Sequence, residues 1–358
     1  MINYIGSKKS LFEYLYQIIC RHVKFTPQTV FGDVFAGTGI VAQSVRDRTG
    51  CQTISCDTER YSEVIQTAMM NLVYSRQIQH WIDNLNQLAR RTDGWVTRHY
   101  SPRGGRMFFT EENALRFDTL RSGLESLRVN QQISEDEYTF ILASLVVCTD
   151  RVANVSCVYG AYLKTFKKTA LEPLILRPIH TITDRNPPHK HIVHHASAMD
   201  VDWSGCDVVY LDPPYNQRQY GANYFVLNAL IEYNPNMVVY GKTGLIDYYK
   251  SPFSQKGASL KAFEQLLGRL RRVPVIILSY NNEGIVSRED LEALLVRYGK
   301  VILYIRRYKK FKAQQGVRED TVNEYVWVVE TKYSPGLPIQ TIDYSDEQTW
   351  TPIQETLD

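Results

Sequence analysis

The chain has 358 residues, 44% hydrophobic and 22% charged; the length implies about two domains at ~150 residues each, and the composition excludes disordered and collagen-like classes. Lys and Arg number 41 against 38 Asp and Glu, a net charge of +3, which neither requires nor forbids a nucleic-acid partner. No run approaches the ~20 apolar residues that span a bilayer, and Met1 to Ser10 lacks the pattern of a signal peptide, so no membrane partner and a cytoplasmic location are expected.

Leu11, Leu15, Ile18 and Ile19 recur at helical spacing and predict an amphipathic helix over Lys8 to His22. Thr29 to Val45 (TVFGDVFAGTGIVAQSV) reads as strand, glycine turn and helix. Gln52 to Asp57 reads as a second strand, with a helix over 59–71 behind it. That βαβ opening predicts an α/β fold with a parallel sheet. The alternation then stops: 76–90, 111–129 and 134–149 read as helices, and Thr97 to Met107 as a loop or small hairpin around Pro102, Gly104 and Gly105. Strand signals resume at His191 to His195 and strongly at Cys206 to Asp212. They continue at Val273 to Tyr280, Lys300 to Ile305 and Asn323 to Glu330, with helices over 258–271 and 288–297 between them. Seven strands result, the last two placed to pair antiparallel. The tail beyond Thr331 holds one Lys, five acids and three prolines and is expected to wrap the surface or be partly loose. Six cysteines without a CxxC pair read as free, buried thiols.

Two short runs carry chemistry. In Asp33 to Gly39 (DVFAGTG) the glycines permit a tight turn and close approach of backbone to ligand at a helix N-terminus. Neither GxGxxG nor a P-loop lysine is present, and an acid inside the turn would repel phosphate, so a cationic or zwitterionic ligand fits better. Asp57, at the end of the second strand, is placed for ribose hydroxyls. The second run, Asp212-Pro213-Pro214-Tyr215, ends the apolar strand Val208 to Leu211, at the carboxyl end where open α/β sheets bind ligands. At ~5% usage per residue the tetrapeptide arises by chance in roughly one such chain in several hundred. The prolines fix the backbone so that the Pro213 carbonyl faces outward beside the Asp212 carboxylate, and Tyr215 adds a flat face. Two acceptors and a ring suit an aromatic amine such as adenine N6: accepting its hydrogens frees the nitrogen lone pair for attack.

Together, DVFAGTG and DPPY resemble the S-adenosylmethionine-dependent adenine-N6 DNA methyltransferases of the Dam-like alpha group. The segment Tyr4 to Leu11 (YIGSKKSL) agrees, as does the long insertion between the second strand and DPPY. The run DPPYNQRQYGANYFVLN is similar to methyltransferases that accompany restriction enzymes. The resemblance implies a seven-stranded Rossmann-like methyltransferase sheet whose last strand is antiparallel. The catalytic domain would comprise 1–75 and 190–332, with a mainly helical target-recognition domain inserted at 76–189 and a tail at 333–358. It further implies that Tyr4, Gly6, Ser7 and Lys8 meet the methionine end of the cofactor, that Asp33, Phe35, Ala36, Gly37 and Gly39 line its amino-acid and sulfonium region, and that Asp57 holds the ribose. Asp200 would meet the cofactor adenine, with Met199 or Val201 packing nearby. Asp212, also at the cofactor, would take the target amine with Pro213, Pro214 stiffens that turn, and Tyr215 would stack on a flipped base.

Duplex DNA is the implied partner, with a cognate restriction endonuclease acting on the same site. Basic side chains must then hold phosphates. The run 151–190 has seven Lys or Arg against two acids and the run 297–312 has seven and none. Lys164, Lys167, Lys168, Arg306, Arg307, Lys309 and Lys310 are the candidates, interleaved with some of the 24 tyrosines, whose rings can stack on bases. Arg218 and Tyr220, in the polar loop after DPPY, are candidate contacts to the extruded nucleotide, and Ser279 to Asn282 a supporting segment. The histidines between His180 and His195 lack partners at ligand spacing, and no metal is expected. The alternatives are methylation of RNA or of a protein amide, and a catalytically inactive DNA-binding protein on this fold; a nicotinamide oxidoreductase would need the missing GxGxxG.

Overall fold

The computed structural model describes residues 11–89, 92–184, 189–309 and 321–344. In chain order the elements are Phe12–His22 (α1), Val30–Asp33 (β1), Ile40–Thr49 (α2), Gln52–Asp57 (β2), Arg60–Asn71 (α3), Arg76–Asn86 (α4), Trp95–Tyr100 (α5), Glu111–Val129 (α6) and Glu135–Arg151 (α7). They continue with Ile192–His195 (β3), Val208–Leu211 (β4), Tyr220–Glu232 (α8), Ser259–Arg269 (α9), Val275–Asn281 (β5), Arg288–Leu295 (α10), Lys300–Lys309 (β6), Thr321–Glu330 (β7) and Gln340–Asp343 (β8). Among the described residues no helix is long and apolar enough to cross a membrane.

The chain divides into two compact units. One comprises the described residues of Lys8–Asp57, Pro188–Gln219 and Lys250–Asp358 and holds the whole sheet. Its order is β3-β2-β1-β4-β5-β7-β6-β8. Strands β1 to β5 run parallel, whereas β7 lies antiparallel between β5 and β6. Strand alternation sends successive residues to opposite faces. Val208 and Tyr210 face a core shared with Leu15, Ile18, Val41 and Val45 of α1 and α2. Val209 and Leu211 face one shared with Phe263 and Leu266 of α9 and Leu291 of α10. The sheet expected to have seven strands has eight among the described residues. Residues 340–343, expected in a surface-wrapping or loose tail, pair parallel with Ile302–Ile305 of β6, because that side of β6 otherwise leaves its backbone groups unpaired.

The second unit comprises the described residues of Thr58–Pro187 and Tyr220–Tyr249. It therefore takes in α3 and α8 beyond the inserted range 76–189. Residues 97–100, expected in a loop or hairpin, are helical and belong to α5, which buries Trp95, Val96 and Tyr100 in the core of α3 to α8. Ser134 and Glu137 form a capping box at the start of α7, and Thr110 accepts from Asn113 N–H at the start of α6. The fully buried Asp118 of α6 is the polar hub of this unit. It accepts from the backbone N–H groups of Gly94 (3.1 Å), Val96 (3.1 Å) and Thr97 (2.8 Å) and from the hydroxyls of Thr97 (2.5 Å) and Tyr233 (2.7 Å). Asn154 does comparable work for the chain after α7. Its side chain donates to the Met107 and Leu163 carbonyls, both at 3.0 Å, and accepts from Lys167 N–H at 3.0 Å.

Candidate active site

Strand β1 delivers Asp33 to the carboxyl edge of the sheet, and the turn behind it needs its glycines. Gly37 and Gly39 have φ of 52° and 75°, left-handed values that side chains with a Cβ rarely adopt. The turn is tied down at three points: Gly39 N–H donates to Ala36 O (2.8 Å), Ala36 N–H to Cys56 O (3.0 Å), and Gly37 N–H to the Asp57 carboxylate (2.7 Å). Asp57 thus braces the glycine turn as well as standing where the ribose acid is expected. Ala36 and Gly37 are buried, and Phe35 is half-buried.

Asp33 is buried; Oδ2 accepts from Ala42 N–H at 3.2 Å, while Oδ1 is buried with no hydrogen-bond partner among the described residues. Burial pushes this carboxyl up to about 8; the charges of Asp212 and Asp57 push the same way and the Ala42 hydrogen bond opposes them. A buried acceptor without a donor, at the base of a glycine turn and near two more acids, suits a cationic ligand group. The folded value lies above the ordinary 3.8. Asp33 therefore favours the fold most below about pH 4, and that contribution fades as pH rises toward its folded value. Melting temperatures of the ligand-free protein between about pH 5 and 8 should accordingly fall more steeply for wild type than for Asp33→Asn. Identical pH slopes would refute this assignment.

Asp200 lies exposed in the turn after β3, where its N–H donates to Ser197 O at 2.9 Å. Strand β3 pairs with β2 through Asp57 and His195, and Ala196 N–H reaches Asp57 O at 3.0 Å, so this turn leaves the sheet beside Asp57. Met199 is half-buried and Val201 buried. Tyr4, Gly6, Ser7 and Lys8 lie outside the described residues.

Strand β4 is buried along its length and runs beside β1, so Asp212 emerges next to the glycine turn. Asp212 is half-buried, Pro213 buried, and Pro214 and Tyr215 half-buried. Tyr215 is fixed from the loop after β5: its carbonyl accepts from Ile285 N–H at 2.9 Å, and its ring meets Tyr280 edge-on at 6.3 Å. Gly284 makes that packing possible, since a Cβ there would collide with the Tyr280 ring. Further edge-on contacts continue from Tyr280 to Phe263 (5.8 Å), from Phe263 to Phe253 (5.2 Å) and from Phe253 to Phe35 (5.0 Å). A continuous aromatic chain thereby joins Tyr215 to the glycine turn. Sequence reasoning missed Phe253, Phe263 and Gly284; their partners are distant in the chain and no local motif marks them.

Within the supporting segment, Ser279 Oγ accepts the Tyr210 hydroxyl at 3.0 Å, Asn281 accepts from Glu283 N–H at 3.0 Å, and Asn282 bonds Asn323 twice. Asn216 accepts from Arg218 N–H at 2.9 Å, leaving the Arg218 side chain exposed. Gln219 is held by Ser251 through bonds of 3.0 and 2.8 Å. Tyr220 opens α8 and stacks on Tyr224 at 6.1 Å.

The basic candidates divide. Lys164, Lys168 and Arg307 are exposed. Lys167 spends its ammonium on Val155 O at 2.8 Å, and the Arg306 guanidinium lies over the Tyr14 ring at 5.1 Å. Lys309 ends β6 with its side chain outside the described residues, as is Lys310 entirely. Among the described residues no group of three or more His, Cys, Asp or Glu is arranged to hold a metal. His191 is buried between the Thr53 and Ser55 hydroxyls at 2.7 and 2.8 Å, and burial pushes it down to about 3. His180 bonds Ala68 O at 3.0 Å. Cys51, Cys56, Cys148 and Cys206 are buried and free, whereas Cys20 and Cys157, also expected to be buried, are exposed on α1 and half-buried respectively.

A model of the D12 class N6 adenine-specific DNA methyltransferases matches residues 4–293. The chain is 40% identical over 331 residues to Type II methyltransferase M.CviAII of Paramecium bursaria Chlorella virus 1, covering 92% of this chain and 98% of that protein. It is 36% identical over 340 residues to Type II methyltransferase M.NlaIII of Neisseria lactamica, covering 93% and 100%. Type II methyltransferase M.FokI of Planomicrobium okeanokoites shares 31% identity over 348 residues, with 92% of this chain matching 52% of that protein. The matched span contains both the glycine turn and DPPY, and the chain belongs to the D12 class N6 adenine-specific DNA methyltransferases, enzymes that use S-adenosylmethionine.

Proposed function

We propose that Asp212 and Pro213 accept the hydrogens of an adenine N6 amine turned out of duplex DNA, while Tyr215 stacks on the base. The observation that carries this reading is the emergence of DPPY from buried β4 directly beside the glycine turn on β1. S-adenosylmethionine supplies the activated methyl group. The lone Oδ1 of Asp33 suits its ammonium, Gly37 and Gly39 let the backbone approach, and Asp57 and Asp200 suit its ribose and adenine. Two preorganised acceptors draw the amine nitrogen toward a tetrahedral shape and free its lone pair for direct in-line attack on the methyl carbon, with no covalent enzyme intermediate. The bond from that carbon to sulfur would break as the bond to nitrogen forms, leaving the thioether product, while the surplus N6 proton would pass to Asp212. Extruding the base costs a few kcal/mol, which stacking on Tyr215, itself pinned by Ile285 and Tyr280, helps to offset.

The enzyme is an adenine-specific DNA methyltransferase of the restriction-modification type. Residues 76–189 are our candidate for target recognition, Lys164, Lys168, Arg218 and Arg307 for phosphate contact, a restriction endonuclease of the same specificity for its partner, and the cytoplasm for its location. The roles given to DPPY are tested at Tyr215. Stacking is worth ~1–3 kcal/mol per base, so Tyr215→Ala should cost about 5- to 150-fold in kcat/KM for duplex DNA, measured by transfer of tritiated methyl groups. Tyr215→Phe keeps the ring and should stay close to wild type. Equal losses in both variants would reject a stacking role.

A further inference from the structure

We infer that the turn Tyr240–Leu245 is a rigid DNA-contacting element, with Lys242 on a phosphate and Tyr240 against the neighbouring sugar. The inference rests on the DNA methyltransferase reading above and adds to it a contact surface that lies after DPPY in the chain, outside the inserted segment.

The turn is built to hold its shape. Tyr240 and Leu245 exchange backbone hydrogen bonds of 2.6 and 2.8 Å, and Gly241 and Gly244 take φ of 63° and 72°. A single guanidinium then locks it from outside. Arg106 donates to Lys242 O and Gly241 O in the turn, both at 3.2 Å, and to His99 O (3.0 Å) and Gly104 O (3.3 Å) in and just after α5. Gly244 lies against the Arg106 side chain, where a Cβ would collide, and Tyr100 OH donates to Gly244 O at 3.0 Å. A solvent-facing loop that only connected two segments would need none of this.

What the turn displays is unusual for a surface. Val238, Tyr240 and Tyr249 are 59%, 48% and 42% exposed, three large apolar side chains within twelve residues. Lys242 and Lys250 are exposed among them, against one acid, Asp247, over 234–250. Aromatic and aliphatic faces interleaved with ammonium groups match a sugar–phosphate backbone, which offers apolar sugar edges between evenly spaced negative charges. Tyr248 packs over Gly221, in the first turn of the helix that follows DPPYNQRQ, and Ser251 holds Gln219.

The test uses the full-length enzyme and a random-sequence duplex, with affinity measured across a salt series alongside methylation kinetics on plasmid DNA. Removing one phosphate contact lowers the slope of log K against log salt by about 0.9. Lys242→Gln should show that drop and a raised KM for DNA, at unchanged kcat. Tyr240→Ala should weaken binding about three- to tenfold with the slope unchanged. Lys24→Gln, an exposed charge at the amino end of the sheet before β1, should match wild type in both. A wild-type slope and KM in Lys242→Gln would overturn the inference while leaving the methyltransferase activity intact. Absence of DNA methylation by the wild type would instead strike at the underlying reading. If Tyr240→Ala abolished a concentration-dependent dimer in sedimentation and left DNA affinity untouched, the face would belong to self-association and the inference would fall.

Discussion

Asp212→Ala is expected to lose methyl transfer almost completely while still binding S-adenosylmethionine. Removing one preorganised electrostatic partner of a developing charge costs about 10²–10³ in kcat, and Asp212 is one of two acceptors proposed for the amine. The residues proposed to hold the cofactor are instead Asp33, the backbone of Gly37 and Gly39, and Asp57, which are bonded to one another's turn independently of Asp212. The variant also relieves Asp33 of a neighbouring negative charge, so the cofactor Kd should move by only a few-fold. Single-turnover rates and calorimetric affinities separate these effects. A rate near wild type would sink the mechanism, and parallel loss of rate and cofactor affinity would reassign Asp212 to the cofactor pocket. Asp212→Asn keeps one carbonyl acceptor and should fall between the two.

Asp118→Ala is expected to destabilise the helical unit rather than impair chemistry. Five donors converge on this carboxylate from Gly94, Val96, Thr97 and Tyr233. Each donor left buried and unpaired costs about 1–3 kcal/mol. Even with water relieving some of them, a loss of at least about 3 kcal/mol follows, against the 5–15 kcal/mol that usually holds a domain together. Urea unfolding followed by circular dichroism should show the helical transition moved to markedly lower denaturant. Asp118→Asn, which keeps one acceptor but turns an amide toward N–H groups, should be intermediate. A midpoint unchanged in Asp118→Ala would show that the hub contributes little.

Both candidate sites stood out in the sequence because each is a short local run. Asp33 to Gly39 and Asp212 to Tyr215 are consecutive residues at strand ends, and any parallel sheet places such ends on one edge. Helix α1 was legible for a related reason, since Leu15, Ile18 and Ile19 form its buried stripe. Helix α8 was not. Gly221 and all residues from Tyr224 to Ile231 are buried, so it has no polar face to set a period. The Asp118 hub, the aromatic chain through Phe253 and the Arg106 clamp were invisible for another reason. Each joins residues separated by long stretches of sequence, and no single segment bears their signature. Strand β8 was missed because three of its four residues are exposed; only pairing with β6 makes it a strand.

That pairing bears on solubility. Strand β6 is ten residues long and buried from Val301 to Ile305, the kind of open, apolar edge that templates pairing with other chains. Strand β8 covers it, and the Arg21 side chain and the Tyr304 ring hold Tyr344, the residue immediately after it. Among the described residues the margin of the sheet thereby consists of four residues bearing exposed Gln340, Thr341 and Asp343, a poor template for intermolecular pairing. Covering β6 with a short polar strand should therefore lower the tendency to aggregate, a consequence separate from methyl transfer.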